Sequence, residues 1–347
     1  MTKVYVGLSG GVDSSTSAAL LVQQGYDVTG VYMKNWTADV PGMVCPWARD
    51  LADAKRVAVK LNIPFKVMNF QTEYKSLVVD YMIHEYEAGR APNPDIMCNQ
   101  EVKFGLFLKA SLQDGADMIA TGHYARSVGS KLLRAANEDK DQTYFLYRIT
   151  GEAVQHTIFP IGDYKTKQEV RDTAAKFGLE TATKRDSQGI CFIGTVSIKD
   201  FLSEFVHTEP GDIVEKETGK VLGRHDGALF YTLGQRHGLN VGGGLPYYVV
   251  GKDMTKNEVY VSRNLESKAF WREEIKLNQL HWINEPPASG QQYLIRVRHR
   301  APLVPATVEL SGDGAIIRPQ NPERAVASGQ SVVVYDDQEV LGGGIVE

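Results

Sequence analysis

The chain has 347 residues, which is enough for two or three domains. A formal net charge of −4, with 43% hydrophobic and 23% charged residues, is typical of a globular protein and gives no overall signal for nucleic-acid binding. No stretch is apolar over the roughly 20 residues that a membrane span needs, and the N-terminus leads directly into a predicted strand. Three cysteines cannot form an even disulfide framework, so we expect a cytoplasmic protein with no membrane partner and with chemically active thiols.

The first half of the chain alternates strand-like and helix-like segments. The patterns predict strands at 4–8, 28–33, 65–69 and 117–121, and helices at 14–24, 49–61 and 73–88. A further helix is predicted to begin near Cys98, with Val102, Leu106 and Ala110 on one face. Alternation of this kind is typical of βαβ units, and therefore of a parallel sheet with its ligand site at the carboxyl ends of the strands.

After about residue 200 the sequence changes to short strand-like runs between glycine-rich turns. From about residue 273 short alternating strands dominate, which predicts a small β-barrel. The predicted fold is α/β: a parallel-sheet nucleotide-binding domain at 1–200, a small central domain at 201–270 and a C-terminal β-barrel at 271–347.

The segment Ser9-Gly-Gly-Val-Asp-Ser-Ser15 joins the first predicted strand to the first predicted helix. Backbone N–H groups in such a turn, together with the positive end of the helix, bind phosphates, and Gly10 and Gly11 let the ligand approach. The segment has no lysine, which excludes the Walker A pattern, and its glycine spacing excludes the dinucleotide-binding pattern. Asp13 beside phosphates suggests an intervening Mg²⁺ ion.

This segment resembles the pyrophosphate loop (PP-loop) of the N-type ATP pyrophosphatases. The resemblance implies cleavage of ATP between its α and β phosphates and transfer of AMP to a substrate.

Two cysteines lie in surroundings that favour reactive thiols. Cys98 follows the proline-stiffened segment Ala91–Asp95 and is expected near a helix N-terminus, where the pKa of a thiol is lowered. Cys191 has the cationic neighbours Lys184 and Arg185. Either cysteine alone would more often be a small buried apolar residue, but beside an adenylating loop we favour a chemical role for both.

Eight motifs are similar, in the same order, to those of the tRNA-specific 2-thiouridylases, and they extend over essentially the whole chain. They are Gly7–Ser14, Met33–Trp36, Gly89–Asp95 with Cys98–Asn99, Ala120–Tyr124, Asp139–Leu146, Gly189–Gly194, Thr232–Arg236 and Leu341–Ile345. The resemblance implies an ATP-dependent sulfurtransferase that adenylates oxygen 2 of the wobble uridine of tRNA and exchanges it for sulfur, giving 2-thiouridine.

The resemblance also implies roles for individual residues. Cys191 would carry a persulfide, and Cys98 would act as the nucleophile that frees the sulfur or closes a transient disulfide with Cys191. Asp95 would face the target base and act in acid–base catalysis, although a turn-forming role after proline is equally consistent. An iron–sulfur cluster held by Asp95, Cys98 and Cys191 is an alternative sulfur carrier. Cys45 lies where relatives have an acidic run, and we expect it to take no part.

The binding residues implied by the resemblance fall into two sets. ATP would contact Gly7, Leu8, Ser9, Gly10, Gly11, Val12, Asp13, Ser14, Met33 and Gly122. The tRNA would contact Asn93, Pro94, Asp95, Lys140, Asp141, Gln142, Arg298 and His299. Independently of the resemblance, Arg296, Arg298 and Arg300 alternate along a predicted strand and would share one face, either as an RNA contact or as an ordinary solvated surface.

The expected cofactors are ATP, Mg²⁺ and persulfide sulfur. The expected partners are the tRNAs for lysine, glutamate and glutamine, and a cysteine desulfurase or sulfur-relay protein as the sulfur donor. Two other functions remain compatible with the loop: a different PP-loop ligase or tRNA-modifying enzyme, which would not need the cysteine pair, and a non-catalytic RNA-binding protein.

Overall fold

A computed structural model describes residues 1–37, 47–185, 197–242, 244–264, 266 and 270–347. The first domain is built on a five-stranded parallel sheet with the spatial order β3-β2-β1-β4-β7. Its strands are β1 (Lys3–Gly7), β2 (Asp27–Lys34), β3 (Phe65–Asn69), β4 (Met118–Ala120) and β7 (Thr157–Ile158). The parallel sheet predicted from the sequence is confirmed. The strand order reverses between β1 and β4, so the carboxyl ends of these two strands form the crevice where such sheets bind ligands.

Helices cover this sheet, and some of them are continuous with one another. The helices are α1 (Val12–Gln23), α2 (Trp47–Leu61), α3 (Gln71–Tyr74), α4 (Asp80–Glu87), α5 (Pro94–Met97), α6 (Phe107–Gln113), α7 (Gly151–Gln155), α8 (Lys167–Lys176) and α9 (Ile198–Ser203). Wide π-helical turns at Lys75–Val79 and Cys98–Leu106 join α3 to α4 and α5 to α6. The described chain contains no helix that is long and apolar enough to cross a membrane.

The helix that contains Cys98 begins earlier than the sequence suggested. Asn93 is its N-cap, with the side-chain oxygen accepting hydrogen bonds from the backbone N–H groups of Asp95 and Ile96, and Pro94 occupies the first helical position. Cys98 is therefore the fifth residue of the helix. The expectation of a thiol at the helix N-terminus is wrong, because the proline that looked like a loop residue starts the helix.

The central domain contains a four-stranded sheet with the order β10-β11-β8-β9. Its strands are β8 (Gly211–Glu215), β9 (Val221–His225), β10 (Tyr248–Asp253) and β11 (Glu258–Ser262). Ile213, Val249, Val259 and Val261 form the centre of a separate small core.

The C-terminal domain is a closed barrel of six strands, as predicted. These are β13 (Ile275–Trp282), β14 (Gln291–Arg296), β15 (Val304–Ser311), β16 (Gly314–Pro319), β18 (Ser331–Asp336) and β19 (Glu339–Val346). They follow the order β13-β16-β15-β14-β18-β19, and β19 pairs back to β13. Two further short strands, β12 (Trp271–Arg272) and β17 (Glu323–Arg324), pair with each other in an antiparallel ribbon. In the sequence β12 precedes β13, and β17 lies between β16 and β18.

A hairpin from the first domain joins this barrel. It consists of β5 (Arg126–Val128) and β6 (Lys131–Leu133), and β6 pairs with β19 through Leu133 with Glu339 and Leu132 with Val340. One hydrophobic cluster also contains buried residues of both domains, among them Tyr147 and Tyr335. The first domain and the barrel are therefore joined by both a shared sheet and a shared core.

The three alternating arginines do not share one strand face. Strand β14 ends at Arg296, which is buried, and the chain then turns so that Arg298 is exposed and Arg300 adopts a positive φ of 63°. The backbone N–H of Ala301 donates to the Arg298 carbonyl oxygen at 3.1 Å and closes this turn. Alternate residues share a face only within a strand, and β14 ends at Arg296, before the second arginine.

Candidate nucleotide and RNA site

The loop after β1 turns at Gly10, where the backbone requires glycine for two reasons. Its φ is +74°, and a Cβ at this position would lie 2.5 Å from the Asp50 carbonyl oxygen of α2. Gly11 is the N-cap of α1, and its carbonyl oxygen accepts a hydrogen bond from Ser15 Oγ at 2.7 Å. Ser14 Oγ accepts one from the Ser9 backbone N–H at 3.2 Å. The chain's own hydroxyl groups thus hold the PP-loop in place at the start of a helix.

The loop after β4 packs directly on this structure. A Cβ on Gly122 would lie 2.6 Å from the Ser14 backbone nitrogen, so only glycine allows the two loops to approach so closely. Met33 lies over Gly7, with its methyl carbon 3.0 Å from where a Cβ would stand. Leu8 is buried. Of the residues expected to bind ATP, Gly7, Leu8 and Met33 therefore support the loop from the core side.

Asp13 is held by two side chains, those of Lys167 and Tyr124, for which the sequence predicted no role in the site. Both carboxylate oxygens accept hydrogen bonds from the Lys167 ammonium at 2.7 Å, and the Tyr124 hydroxyl donates to Oδ1 at 3.1 Å. Among the described residues no group of three or more His, Cys, Asp or Glu side chains could hold a metal ion. Lys167 supplies positive charge beside Asp13, and the expected use of Asp13 as a Mg²⁺ ligand together with ATP stays a prediction.

Lys184 braces the back of the loop. Its ammonium donates to the Gly10 carbonyl oxygen at 3.0 Å, to Asp50 at 2.9 Å and to Asp53 at 2.5 Å. Burial raises the pKa of Asp53, but the hydrogen bonds and charges of Lys184 and Arg56 together outweigh this effect and leave the pKa below its ordinary value. The ammonium expected to act on Cys191 is thus neutralised by two carboxylates. Arg185, the other expected cation, lines the cavity in front of the loop.

Cys98 lies one helical turn beyond Asp95 and is only 1% exposed. Burial raises the pKa of its thiol, and the charge of Asp95 adds to this, whereas the Lys103 ammonium and a hydrogen bond from Tyr74 favour the thiolate. The expectation that a helix N-terminus lowers the pKa of the Cys98 thiol is therefore wrong. Cys191 and Cys45 lie outside the described residues, so the cluster of Asp95, Cys98 and Cys191 and the disulfide stay predictions.

The segment Lys140–Gln142 connects the loop region to the barrel. Gln142 Oε1 accepts a hydrogen bond from the Tyr124 backbone N–H at 2.9 Å, and the Gln142 N–H donates to the Tyr124 carbonyl oxygen at 3.0 Å. The Asp141 side chain is fully buried and pairs with Arg296, with 3.1 Å between Oδ2 and Nη1. The whole residue is only 1% exposed, so neither the side chain nor the backbone of Asp141 is available for the expected contact with RNA.

His299 packs against an aromatic side chain from the first domain. Its ring centroid lies 4.4 Å from that of Phe145, at an angle of 41°. Burial lowers the pKa of His299 to about 4, and the charges of Arg300 and Arg296 add to this effect. The ring is therefore neutral at neutral pH and offers a face for stacking rather than a charge.

A cavity of about 510 Å³ lies where these groups meet. Its lining includes the following residues for which the sequence predicted a role: Ser9, Gly11, Val12, Asp13, Asp95, Lys140, Gln142, Arg185, His299 and Arg300. It also includes residues that were not selected for a role: Asn99, Lys103, His123, Tyr124, Phe145 and Lys167. A cavity of about 670 Å³ beside α2 is larger, but it contains none of the PP-loop residues. We therefore place the functional site in the smaller cavity, where a phosphate loop, cations and an aromatic wall converge.

Lys167 is the most informative of the missed residues. Thr166 and Glu169 form a capping box that marks the start of α8, so the sequence T-K-Q-E predicts a helix there. The capping box does not indicate where the side chain of Lys167, the first residue of this helix, points. Its contact with Asp13 joins residues 154 positions apart, which only the fold reveals.

Three family profiles match the chain in succession. They are described as a tRNA methyl transferase HUP domain (residues 2–195), a tRNA methyl transferase PRC-barrel domain (199–263) and an aminomethyltransferase beta-barrel domain (272–346). Full-length relatives carry a different name, tRNA-specific 2-thiouridylase MnmA. Those from Bacillus subtilis and Pseudomonas savastanoi pv. phaseolicola are 44% identical and align with all of this chain and with 95% and 94% of their own lengths.

A relative from Streptococcus thermophilus with the same name is 43% identical, over all of this chain and 95% of its own length. The full-length relatives decide between the two names, because each aligns continuously across all three domains. The order of the eight motifs agrees with them. The chain belongs to the family of tRNA-specific 2-thiouridylases.

Proposed function

We propose that this protein is an ATP-dependent tRNA sulfurtransferase that replaces oxygen 2 of the wobble uridine with sulfur. The observation that carries the proposal is the shared cavity, which is lined by the PP-loop, by Asp95 and by the Lys140, Gln142 and His299 side chains. An activating nucleotide and an unstacked base can meet in this one cavity, and such an arrangement lowers the entropic cost of reaction.

In the first step, uridine oxygen 2 attacks the α-phosphorus of ATP. A bond forms between that oxygen and phosphorus, and pyrophosphate leaves toward the backbone N–H groups at the start of α1. Lys167 and Arg185 supply positive charge at this end of the cavity. ATP enters with Mg²⁺ on its phosphates, and no protein carboxylate is assigned to the metal ion.

In the second step, the outer sulfur of a persulfide on Cys191 attacks carbon 2 of the adenylated base. The new carbon–sulfur bond replaces the carbon–oxygen bond, and AMP leaves with the former uridine oxygen. The Cys98 thiolate then attacks the inner sulfur of Cys191, which breaks the persulfide bond and leaves 2-thiouridine and a disulfide. A thiol reductant must return two electrons to reopen that disulfide.

Cys98 needs activation before it can act in this scheme. Its pKa is raised by burial, so the resting group is a thiol, while Lys103 and Tyr74 favour the thiolate. We assign Asp95, in the first turn of the same helix and on the cavity wall, to contact with the target base and to proton transfer there.

The proposed partners follow from this chemistry. The tRNAs for lysine, glutamate and glutamine are the proposed substrates. A cysteine desulfurase or a sulfur-relay protein is the proposed source of the persulfide, because the reaction consumes one sulfur atom in each cycle.

The test combines the protein with ATP, Mg²⁺, a sulfur donor and transcribed tRNA, and measures 2-thiouridine and AMP separately. We expect Cys191→Ser to abolish thiolation while AMP transfer to the tRNA continues, because activation precedes sulfur delivery. Cys45→Ser serves as the matched control and should thiolate at the wild-type rate. Full thiolation by Cys191→Ser would refute the persulfide scheme, and thiolation that depends on an oxygen-sensitive iron chromophore would favour the cluster instead.

A further inference from the structure

The reaction cavity has two walls that come from different domains. Lys140, Gln142 and Phe145 belong to the first domain, whereas His299 and Arg300 follow the last residue of barrel strand β14. An RNA strand that contacts both walls is bound well only when the walls stand in a fixed relation. The shared sheet and core join the two domains as a whole, and a contact at the cavity would fix the two walls themselves.

A buried ion pair lies directly behind both walls. Asp141 stands between Lys140 and Gln142 in the chain, and Arg296 stands three residues before His299. Their side chains are 0% and 7% exposed, and Oδ2 lies 3.1 Å from Nη1. The Arg296 guanidinium also lies over the Tyr335 ring, 5.6 Å from its centroid.

The two oxygens of Asp141 serve different domains. Oδ1 accepts hydrogen bonds from the Ala135 N–H at 3.3 Å, from the Thr143 N–H at 3.2 Å and from Thr143 Oγ1 at 2.8 Å, all within the first domain. Oδ2 faces the barrel through Arg296, and the Arg134 Nε stands 3.9 Å away from it. One carboxylate oxygen of Asp141 thus accepts hydrogen bonds within the first domain, and the other accepts one from Arg296 of the barrel.

Such a pair adds little net stability, because burying two charges costs about as much as their attraction returns. It does penalise every arrangement in which the walls move apart, since each movement would leave a buried charge without its partner. We propose that Asp141 and Arg296 are positioning residues that hold the two walls of the cavity in register for tRNA. This inference rests on the proposed function.

The test uses substitutions that separate alignment from folding. Asp141→Asn keeps Oδ1 as an acceptor for the loop, and Arg296→Met keeps the apolar stem. The double variant Asp141→Asn/Arg296→Met has neither charge of the pair, so it should melt at a higher temperature than the Asp141→Asn variant. Steady-state kinetics are measured below all melting transitions with tRNA and with ATP as the varied substrate.

We expect all three variants to raise the KM for tRNA about tenfold, as follows if the aligned arrangement is populated about one-tenth of the time. The KM for ATP and the kcat should stay within about twofold of the wild type, since the PP-loop is untouched. If a single variant does not fold, the double variant decides. A wild-type KM for tRNA in the double variant would overturn the proposal, because the pair would then serve folding alone.

The control is Glu339→Gln, which breaks an ion pair between Lys131 of the hairpin and the barrel away from the cavity. Its KM for tRNA should equal that of the wild type, and a similar rise would assign the effect to domain docking in general. If the wild type does not thiolate tRNA, the proposed function fails by itself. Hydrogen exchange then tests the pair: residues 137–145 and 297–303 should exchange faster in the double variant, and unchanged exchange would overturn the inference.

Discussion

Lys167 carries the charge that makes Asp13 compatible with a polyphosphate ligand. Without this ammonium, a carboxylate would face the phosphates from the first turn of α1. Two unit charges about 5 Å apart repel by about 3 kcal/mol at an effective dielectric constant of about 20. The pair is partly exposed, with 17% and 31% of the two side chains accessible, so solvent screening reduces this value.

We therefore expect Lys167→Met to weaken ATP binding about tenfold, which corresponds to about 1.4 kcal/mol. Titration with a non-hydrolysable ATP analogue measures the effect directly. Lys165→Met is the matched control, because Lys165 is exposed and lies two residues before Lys167 on the same segment. Equal losses at both positions would show that general positive charge, not the contact with Asp13, supports nucleotide binding.

Single residues also mark the limit of what the sequence reveals. Ser9 to Asp13 could be assigned to a phosphate loop because glycine, a strand and a helix stand next to one another in the chain. Arg296 could not be assigned to the interior, because its partner Asp141 is 155 positions away. Cys98 was placed near the site, but the sequence could not show that burial raises the pKa of its thiol.

Packing between the PP-loop and α2 is the clearest feature at the scale of elements. A Cβ at Gly10 would meet the Asp50 carbonyl oxygen at 2.5 Å and Asp53 Cβ at 3.1 Å. The loop and helix are thus in backbone contact, and Lys184 bridges them from the side.

Gly10→Ala should therefore lower the free energy of unfolding by about 2–4 kcal/mol, through a positive φ and a clash with backbone that cannot move cheaply. Gly25→Ala separates these causes, because Gly25 has a φ of +85° and no neighbour within 4 Å. It should cost only about 1 kcal/mol. Urea unfolding measures the free energy of unfolding of both variants. An equal loss at the two positions would mean that the close approach to α2 is not a constraint.

The helices show why element boundaries are harder to predict than elements. The periodic pattern at 73–88 correctly indicated a helix, and the structure extends it from Gln71 to Glu87. The wide turns at Lys75–Val79 and Cys98–Leu106 were not predicted from the sequence. Each wide turn changes which side chains share a face, and Phe107 rather than Leu106 is the fully buried residue.

At the scale of the molecule, the barrel completes the first domain. Tyr144 donates a hydrogen bond to the Ser331 carbonyl oxygen at 2.9 Å, and the Gly151 N–H donates to the Ile283 carbonyl oxygen at 2.7 Å. With the hairpin pairing and the shared hydrophobic cluster, these contacts make a large interface that the order of domains along the chain did not predict.

A chain ending at residue 270 should consequently fail to fold stably, because it would expose the apolar surface that the barrel covers and the edge of β6. Thermal unfolding followed by circular dichroism, with the full-length chain as the reference, checks this. A cooperative transition of the shortened chain at the full-length melting temperature would contradict the shared-core description.

The hairpin pairing has a consequence for the order of events during protein synthesis. Lys131 and Glu339, which pair across β6 and β19, are 208 positions apart in the chain. A ribosome adding about 5–20 residues per second needs about 10–40 seconds to cover that separation. Throughout this interval the edge of β6 in the nascent hairpin has no partner strand, and β19 pairs with it only after it has been synthesised.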